Sequence, residues 1–416
     1  MPTENTRSVV QGLLLAWFLL FPSLGVVQKY IGSKLALAYA AAGTVALLAV
    51  AVRASALRAR LERLGGRGAW AAIVALVAGF AVSLAVLHPI ATSGEASWLS
   101  PSGIAGGGSD RDDALTAGVQ ALLSGRYPYY ERTPIGNAPS QLPGSLLLAA
   151  PFVMAGSVVW QNLLWFGAWL AALHYVMGDP RAVLATAGLT VSASPVVMQD
   201  FVTGGDLGTN GIVVLVACLV LVWTTSGRTG GDVGIGRLLA VQEVAASMFA
   251  GVAFASRSHF LLILPLLFQL LRRRAGSRTA LACLSVLLMT SAAITLPFFL
   301  YDPQGFAPFG VQNKFAQLFS TVLPGAGLLF PAASVAVALL VAAKARSADW
   351  PAWLIACGVV LTVPAALLAG VAVLVGSTSL ILTSYALPGV FFGVTGCAAK
   401  LLGYRPGPAD RVPTPR

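Results

Sequence analysis

Charge is what this sequence has least of. Only 10% of its 416 residues are Asp, Glu, Lys or Arg, and just fifteen are acidic. Soluble domains carry about 25% charged residues, so a water-facing surface over the whole chain is excluded. Cysteine is scarce too. Cys218, Cys283, Cys357 and Cys397 are the whole set, and each lies inside an apolar run. That placement gives neither a disulfide framework nor a metal-ligand pattern, and the four read as small buried hydrophobes. Histidine is limited to His88, His174 and His259. HExxH, P-loop and Rossmann fingerprints are absent, so zinc chemistry and nucleotide hydrolysis have no support. The opening MPTENTRS lacks signal-peptide character, and no internal repeat stands out.

Apolar residues fill the chain instead. They make up 57% of it, with a mean hydropathy of +0.81. Many runs approach or exceed the 18 residues that cross a hydrocarbon core of roughly 30 Å. Twelve runs can be laid out, at 9–27, 35–52, 70–90, 158–177, 182–198, 211–225, 238–255, 260–271, 279–300, 322–343, 353–375 and 380–399. A shorter apolar piece, 145–155, reads as interfacial or re-entrant. The expected fold class is all-α: a polytopic transmembrane helical bundle of about twelve spans, forming a single domain over 1–399. A basic, Pro-rich tail over 400–416 is expected to be disordered.

The net charge of +11 has a topological meaning. With both termini on one side, 19 of the 26 Lys and Arg residues share that side. The remaining seven are Lys29, Lys34, Arg111, Arg126, Arg132, Arg257 and Lys314. The positive-inside rule then makes the termini cytoplasmic and the long loop 91–144 extracytoplasmic, with the chain in the inner membrane. Basic residues confined to connectors give no nucleic-acid surface. Eight of the fifteen acids fall outside: Glu95, Asp110, Asp112, Asp113, Glu131, Asp200, Asp206 and Asp302.

The longest polar stretch, 106–143, holds three of those acids within four positions. From 112 to 124 the spacing of Leu115, Val119, Leu122 and Leu123 predicts an amphipathic helix, capped by Ser109 or Asp110 and ended by Gly125. Such a helix is expected to lie on the membrane surface, apolar side down. An acid at its start has two readings. It can cap the helix and complement its dipole, or it can accept a proton as a general base.

Other outer residues also carry paired readings. Arg257 and His259, in a break between two runs, can hold a substrate phosphate or a lipid headgroup. Asp200 and Asp206 flank the Gly-rich turn of QDFVTGGDLGTN, where they can orient a sugar hydroxyl or serve as loop caps. Tyr127, Tyr129 and Tyr130 can stack on sugars or belong to an interfacial aromatic belt. Lys314 can neutralise a phosphate or simply be solvated. Asp302 and Pro303 read as turn chemistry. Glu243, near a cytoplasmic run end, is expected to reach the interface. His88 and His174 receive no role.

DRDDALTAGVQALLSGRYPYY, a Pro-rich link and PGSLLLAAPF together resemble the first outer loop of GT-C glycosyltransferases. More narrowly they resemble bacterial polyprenol-phosphate-sugar-dependent mannosyltransferase-like membrane proteins. SPVVMQDFVTGGDLGTNGIVVLVACL and LPFFLYDPQGF are similar to two later stretches of that family, so the resemblance covers roughly 70 to 320. It implies a polyprenyl-phosphate-sugar donor, inversion at the anomeric carbon, and an acceptor hydroxyl on a glycan, lipid or protein. It implies an Asp base at Asp110, with Asp112 and Asp113 as alternates. Substrate-binding roles fall to Arg257, His259, Tyr129, Asp206 and Lys314. No cofactor is implied, and the metal requirement stays open. The chain departs from the family in three places. The loop follows the third run rather than the first, Gly205-Asp206 stands for a Gly-Gln pair, and Arg257 and His259 stand where a Lys is common. The competing classes are a multi-span transporter or lipid flippase, and a surface-glycan polymerase or ligase.

Overall fold

A computed structural model describes residues 4–92, 110–226, 239–310, 326–345, 349–374, 376 and 379–403. Among the described residues there are α-helices and short 3-10 turns but no strand, as the all-α expectation requires. The helices are α1 (Glu4–Leu20), α2 (Leu24–Ile31), α3 (Ser33–Val52), α4 (Ala54–Glu62), α5 (Gly66–Thr92), α6 (Arg111–Leu123) and α7 (Pro143–Met154). Then come α8 (Trp160–Met177), α9 (Pro180–Ala193), α10 (Pro195–Val202), α11 (Leu207–Thr225) and α12 (Val241–Phe254). The last are α13 (Leu264–Ala275), α14 (Ser277–Tyr301), α15 (Ala326–Lys344), α16 (Trp350–Leu374) and α17 (Leu387–Leu402).

Each apolar run holds a helix, yet length divides them. Seven described helices are long and apolar enough to cross a membrane, or eight if the bent pair α9 and α10 is one span. The helices α7 and α12 and the segment Leu328–Lys344 are apolar but shorter. Large apolar side chains stand exposed along the long helices: Leu37 on α3, Val74 on α5, and Met289 and Leu300 on α14. In water such surface invites aggregation, whereas in a bilayer it meets lipid. The chain is therefore a membrane-embedded helical protein. All four cysteines are buried, as their apolar settings suggest.

The run 182–198 reads as one helix, but it is broken at Ser194 and bends by 84°. Proline is the cause. Pro195 keeps Ser194 out of the helical region, at φ −124° and ψ 84°. The break frees backbone groups, and side chains take them up. Tyr39 donates its hydroxyl to the Ala193 carbonyl at 2.6 Å, and the Val196 N–H reaches Ser23 Oγ at 3.4 Å. Upstream, the turn in GDPR folds as expected. Gly178 is left-handed at φ 67°, and Asp179 caps α9 by accepting the Arg181 N–H at 3.0 Å.

The residues cluster into two compact units. The first comprises Met1–Asp112, Val159–Ile212 and Trp350–Tyr404. Its core is a ring cluster of Phe80, Phe166, Trp169, Phe201 and Phe391, with Trp169 Nε1 bonded to Thr395 Oγ1 at 3.1 Å. Here α16 packs on α17 through glycines. A Cβ on Gly358 would sit 2.7 Å from the Gly393 Cα, and one on Gly389 would sit 2.6 Å from Thr362 Cγ2. Small residues let helix backbones approach this closely in a membrane.

The second unit comprises Asp113–Val158 and Val213–Asp349, with 405–416. In it α12 lies against α14, and Ser291 Oγ donates to the Gly251 carbonyl at 2.7 Å. The start of α7 is pinned by Gly144 N–H to the Ala255 carbonyl at 2.8 Å. Helix α6 forms one residue earlier than the spacing predicts. Its apolar stripe is divided: Leu115 and Val119 are in a protein core with Leu146, Ala149 and Val158, while Leu123 stays exposed. Those partners lie on α7 and just after it. Lys314, Glu95 and most of the 400–416 tail lie outside the described residues.

The glycine seam makes a direct prediction. Gly358→Ala forces backbone apart in α16 and α17, and insertion of that kind costs about 1–3 kcal/mol. The unfolding midpoint in SDS titration should fall accordingly. Gly167→Ala on α8, where a Cβ meets nothing within 4 Å, should leave it in place.

Candidate functional site

In the first unit the polar residues gather around the turn between α10 and α11. Gly204 takes φ +69°, and a Cβ there would lie 2.7 Å from Asp112 Cβ and 3.3 Å from His88 Cε1. The turn thus needs glycine for two reasons, its backbone angle and the closeness of Asp112. Asp200, only 1% exposed, is held on both oxygens. Its Oδ1 accepts Arg111 Nη1 at 3.0 Å, and its Oδ2 accepts the Gly208 N–H at 2.9 Å in the first turn of α11. Asp206 is buried beside it and accepts Asn210 Nδ2 at 2.8 Å.

Arg111 ties the start of α6 to this turn. Its guanidinium carbon lies 5.5 Å from the centre of the Tyr385 ring. Burial draws the pKa of the guanidinium down, but Asp200, Tyr385 and Asp206 outweigh it and the net shift is upward. The residue stays a cation facing acids. The turn's backbone is held as well. The Phe201 carbonyl accepts Asn162 Nδ2 at 2.9 Å, while Asn162 Oδ1 accepts the Thr209 hydroxyl. His88 Nδ1 is 2.9 Å from the Val202 carbonyl, so that nitrogen carries the proton.

The three acids of DRDD fare differently. Asp110 is half-buried just before α6, Asp112 is buried against Gly204, and Asp113 is exposed. Asp112 and Asp206, both named from sequence, therefore belong to one polar cluster. Asp206 is buried and holds Asn210 through its side chain and its carbonyl, as the loop-cap reading expects.

The second unit holds the other candidates. Arg257 is buried in extended backbone ahead of the 3-10 turn Ser258–Ile263, and His259 is half-buried with its ring 4.5 Å from Phe260. Tyr129 is not available as a sugar platform. Its ring packs 4.8 Å from Phe306 and 5.4 Å from Tyr127, and its hydroxyl donates to the Gln141 carbonyl at 3.0 Å. Burial first, with Tyr127 adding, pushes this phenol well above its usual pKa. Within the 3-10 turn Pro128–Tyr130 it is Tyr130 that faces out.

Asp302 bears out its turn reading. It accepts the N–H groups of Gly305 and Gln304 at 2.9 and 3.2 Å on Oδ1, and the Tyr130 hydroxyl at 3.0 Å on Oδ2. The Gly305 N–H foremost, with Tyr130 and Gln304, holds this carboxyl below its ordinary value. Glu243 does not reach an interface. Its Oε2 folds back to accept the Ala240 N–H at 2.8 Å and so satisfies the start of α12. Among the described residues no three His, Cys, Asp or Glu side chains form a metal-binding group.

Sequence reasoning passed over four of these residues. His88 and Asn162 read as helix residues, Arg111 as one outer base among seven, and Tyr385 as part of the last run. Arg111 carried the one usable signal, being an outer-side cation set among acids. No family model, curated protein or solved structure matches the chain.

Two outcomes follow from this geometry. Arg111→Met leaves a buried carboxylate without its cation, which costs about 3–5 kcal/mol. Adding Asp200→Asn should restore much of that loss in the same SDS titration. For Asp302 the folded pKa is lowered, so its stabilisation is complete above about pH 4 and is lost as pH falls through the lower folded value. Asp302→Asn should therefore flatten the acid limb of a plot of unfolding midpoint against pH.

Proposed function

We propose that this chain is a GT-C-type glycosyltransferase that moves a sugar from a polyprenyl-phosphate donor to an acceptor hydroxyl. The observation that carries the reading is the joining of Arg111 to Asp200, which brings the DRDD stretch, and Asp112 in it, against the Gly-rich turn. These are two of the three stretches that resemble the family. In this reading the chain crosses the inner membrane with both termini in the cytoplasm. The loop 91–144 and the chemistry then lie on the outer face, as the distribution of basic residues favours.

The reaction needs few parts. The acceptor oxygen attacks the sugar C1 as the C1–O bond to phosphate breaks, and the bonding pair leaves with polyprenyl phosphate. The acceptor proton passes to a carboxylate. Asp110 suits that task best. Asp112 is enclosed beside Gly204 and His88, and Asp113 stands exposed in the other unit. Arg257 and His259 keep the phosphate-holding role that the resemblance implies. The acceptor is a glycan, a lipid or a protein.

A transporter or flippase is the second reading, favoured by the 84° break between α9 and α10. Broken helices near polar turns build many transporter sites. Transfer assays in membranes separate the two. With radiolabelled polyprenyl-phosphate-sugar, Asp110→Asn should lower the transfer rate by about 10²–10⁴, while Asp113→Asn should not. Full transfer by Asp110→Asn would remove it as the base. Solute flux in proteoliposomes without any transfer would favour the transporter.

A further inference from the structure

Tyr127, Tyr130, Tyr301 and Asp302 form a group at the end of α14 that the reaction above does not use. Tyr127 is its fixed spacer, because its hydroxyl donates to the Phe298 carbonyl at 2.8 Å. The Tyr130 ring lies 4.7 Å from it and the Tyr301 ring 5.0 Å from it. Both outer rings are open, Tyr130 at 56% and Tyr301 at 70% exposed. Tyrosines of an interfacial belt offer their hydroxyls to headgroups. Here the hydroxyls of Tyr127 and Tyr130 are already engaged, by the Phe298 carbonyl and by Asp302, which leaves the ring faces for a ligand.

Asp302 defines what those faces can take. A carboxylate has about four acceptor positions. Three are used, by the N–H groups of Gln304 and Gly305 and by the Tyr130 hydroxyl. Among the described residues one is left for a further donor. Nearby, Arg126 pairs with Glu131, and Arg132 Nη1 donates to the carbonyls of Tyr129, Tyr130 and Glu131. The charged group bonded directly to a ring of the group is the Asp302 carboxylate. A phosphate or a uronate brings no proton to that acceptor and is disfavoured against it. A neutral polyol is suited, with C–H edges for the electron-rich ring faces and a hydroxyl for the carboxylate.

We propose that Tyr130 and Tyr301, carried on Tyr127 and flanked by Asp302, form a subsite for a neutral pyranose ring of the acceptor glycan. The word acceptor rests on the glycosyltransferase reading; the saccharide site does not. Because the donor's sugar is tied to an anionic phosphate, the group's own charge selects against it. The acceptor in this inference is a glycan, among the three classes left open above.

The test is saturation-transfer difference NMR on the full-length protein in detergent, with maltotriose and mannotriose as neutral probes and sialyllactose as the acidic one. A neutral trisaccharide should give signal and sialyllactose none. Tyr301→Ala and Asp302→Asn should each weaken binding by about tenfold. Both are mild for folding, since Tyr301 is exposed and an Asn oxygen still accepts the turn's N–H groups. Silence from both neutral probes overturns the proposal, as does equal binding by the variants. So does a Tyr301→Ala variant that loses stability in lipid nanodiscs while binding sugar unchanged, since that marks a lipid anchor. The enzyme reading fails separately: wild-type binding that Tyr301→Ala abolishes, in a protein with no transfer activity, keeps the subsite and discards the glycosyltransferase.

Discussion

A peptide group inside a bilayer has no water to bond, and leaving one unpaired costs several kcal/mol. That constraint shapes the first unit. A proline and a Gly-rich turn interrupt the helical ladder at Ser194 and again after Val202, and each interruption strands carbonyls and N–H groups. Five side chains take them up, four of them from distant parts of the sequence and one, Asp200, from α10 itself. Tyr39 serves Ala193, Ser23 serves Val196, Asn162 serves Phe201, His88 serves Val202 and Asp200 serves Gly208. Non-helical backbone survives here because the 3-10 turn Phe21–Ser23 and the helices α3, α5 and α8 each contribute to a shell around it. The polar turn is thus a property of several helices at once.

Charge is used with the same economy. Asp179 and Glu243 cap helices, Glu62 pairs with Arg58 along α4, and Glu131 pairs with Arg126. Asp200 serves twice, as the partner of Arg111 and as the acceptor for α11. In a protein so poor in acids, a carboxylate assigned to chemistry must be separated from those that hold backbone. Burial draws that line within DRDD, where Asp112 is packed and Asp110 is only half-covered.

Much of this was legible in the sequence because it follows from periodicity and local turn chemistry. The apolar runs became helices, GDPR became a capped turn, and the spacing in the first loop became α6. What escaped was whatever depends on contacts distant in sequence. Leu115 and Val119 have the pattern of a surface-lying helix, and only their neighbours Leu146 and Ala149 decide that protein covers them. Tyr129 and Tyr130 are chemically alike, and a single 3-10 turn sends one inward and the other out. His88 looked idle because its partner is a carbonyl 114 positions away. The break at Ser194 did leave a local sign, Pro195, yet hydropathy alone runs smoothly through it.

The buried thiols have a practical meaning for the chemistry this protein can undergo. A cysteine reacts as its thiolate, and only where solvent and electrophile can reach it. Cys218, Cys283, Cys357 and Cys397 all sit in closed packing. Oxidants and alkylating agents arriving from either side of the membrane meet no accessible sulfur while the fold is intact. The native protein is thereby silent to thiol reagents, and any sulfur that does react reports that its helices have come apart.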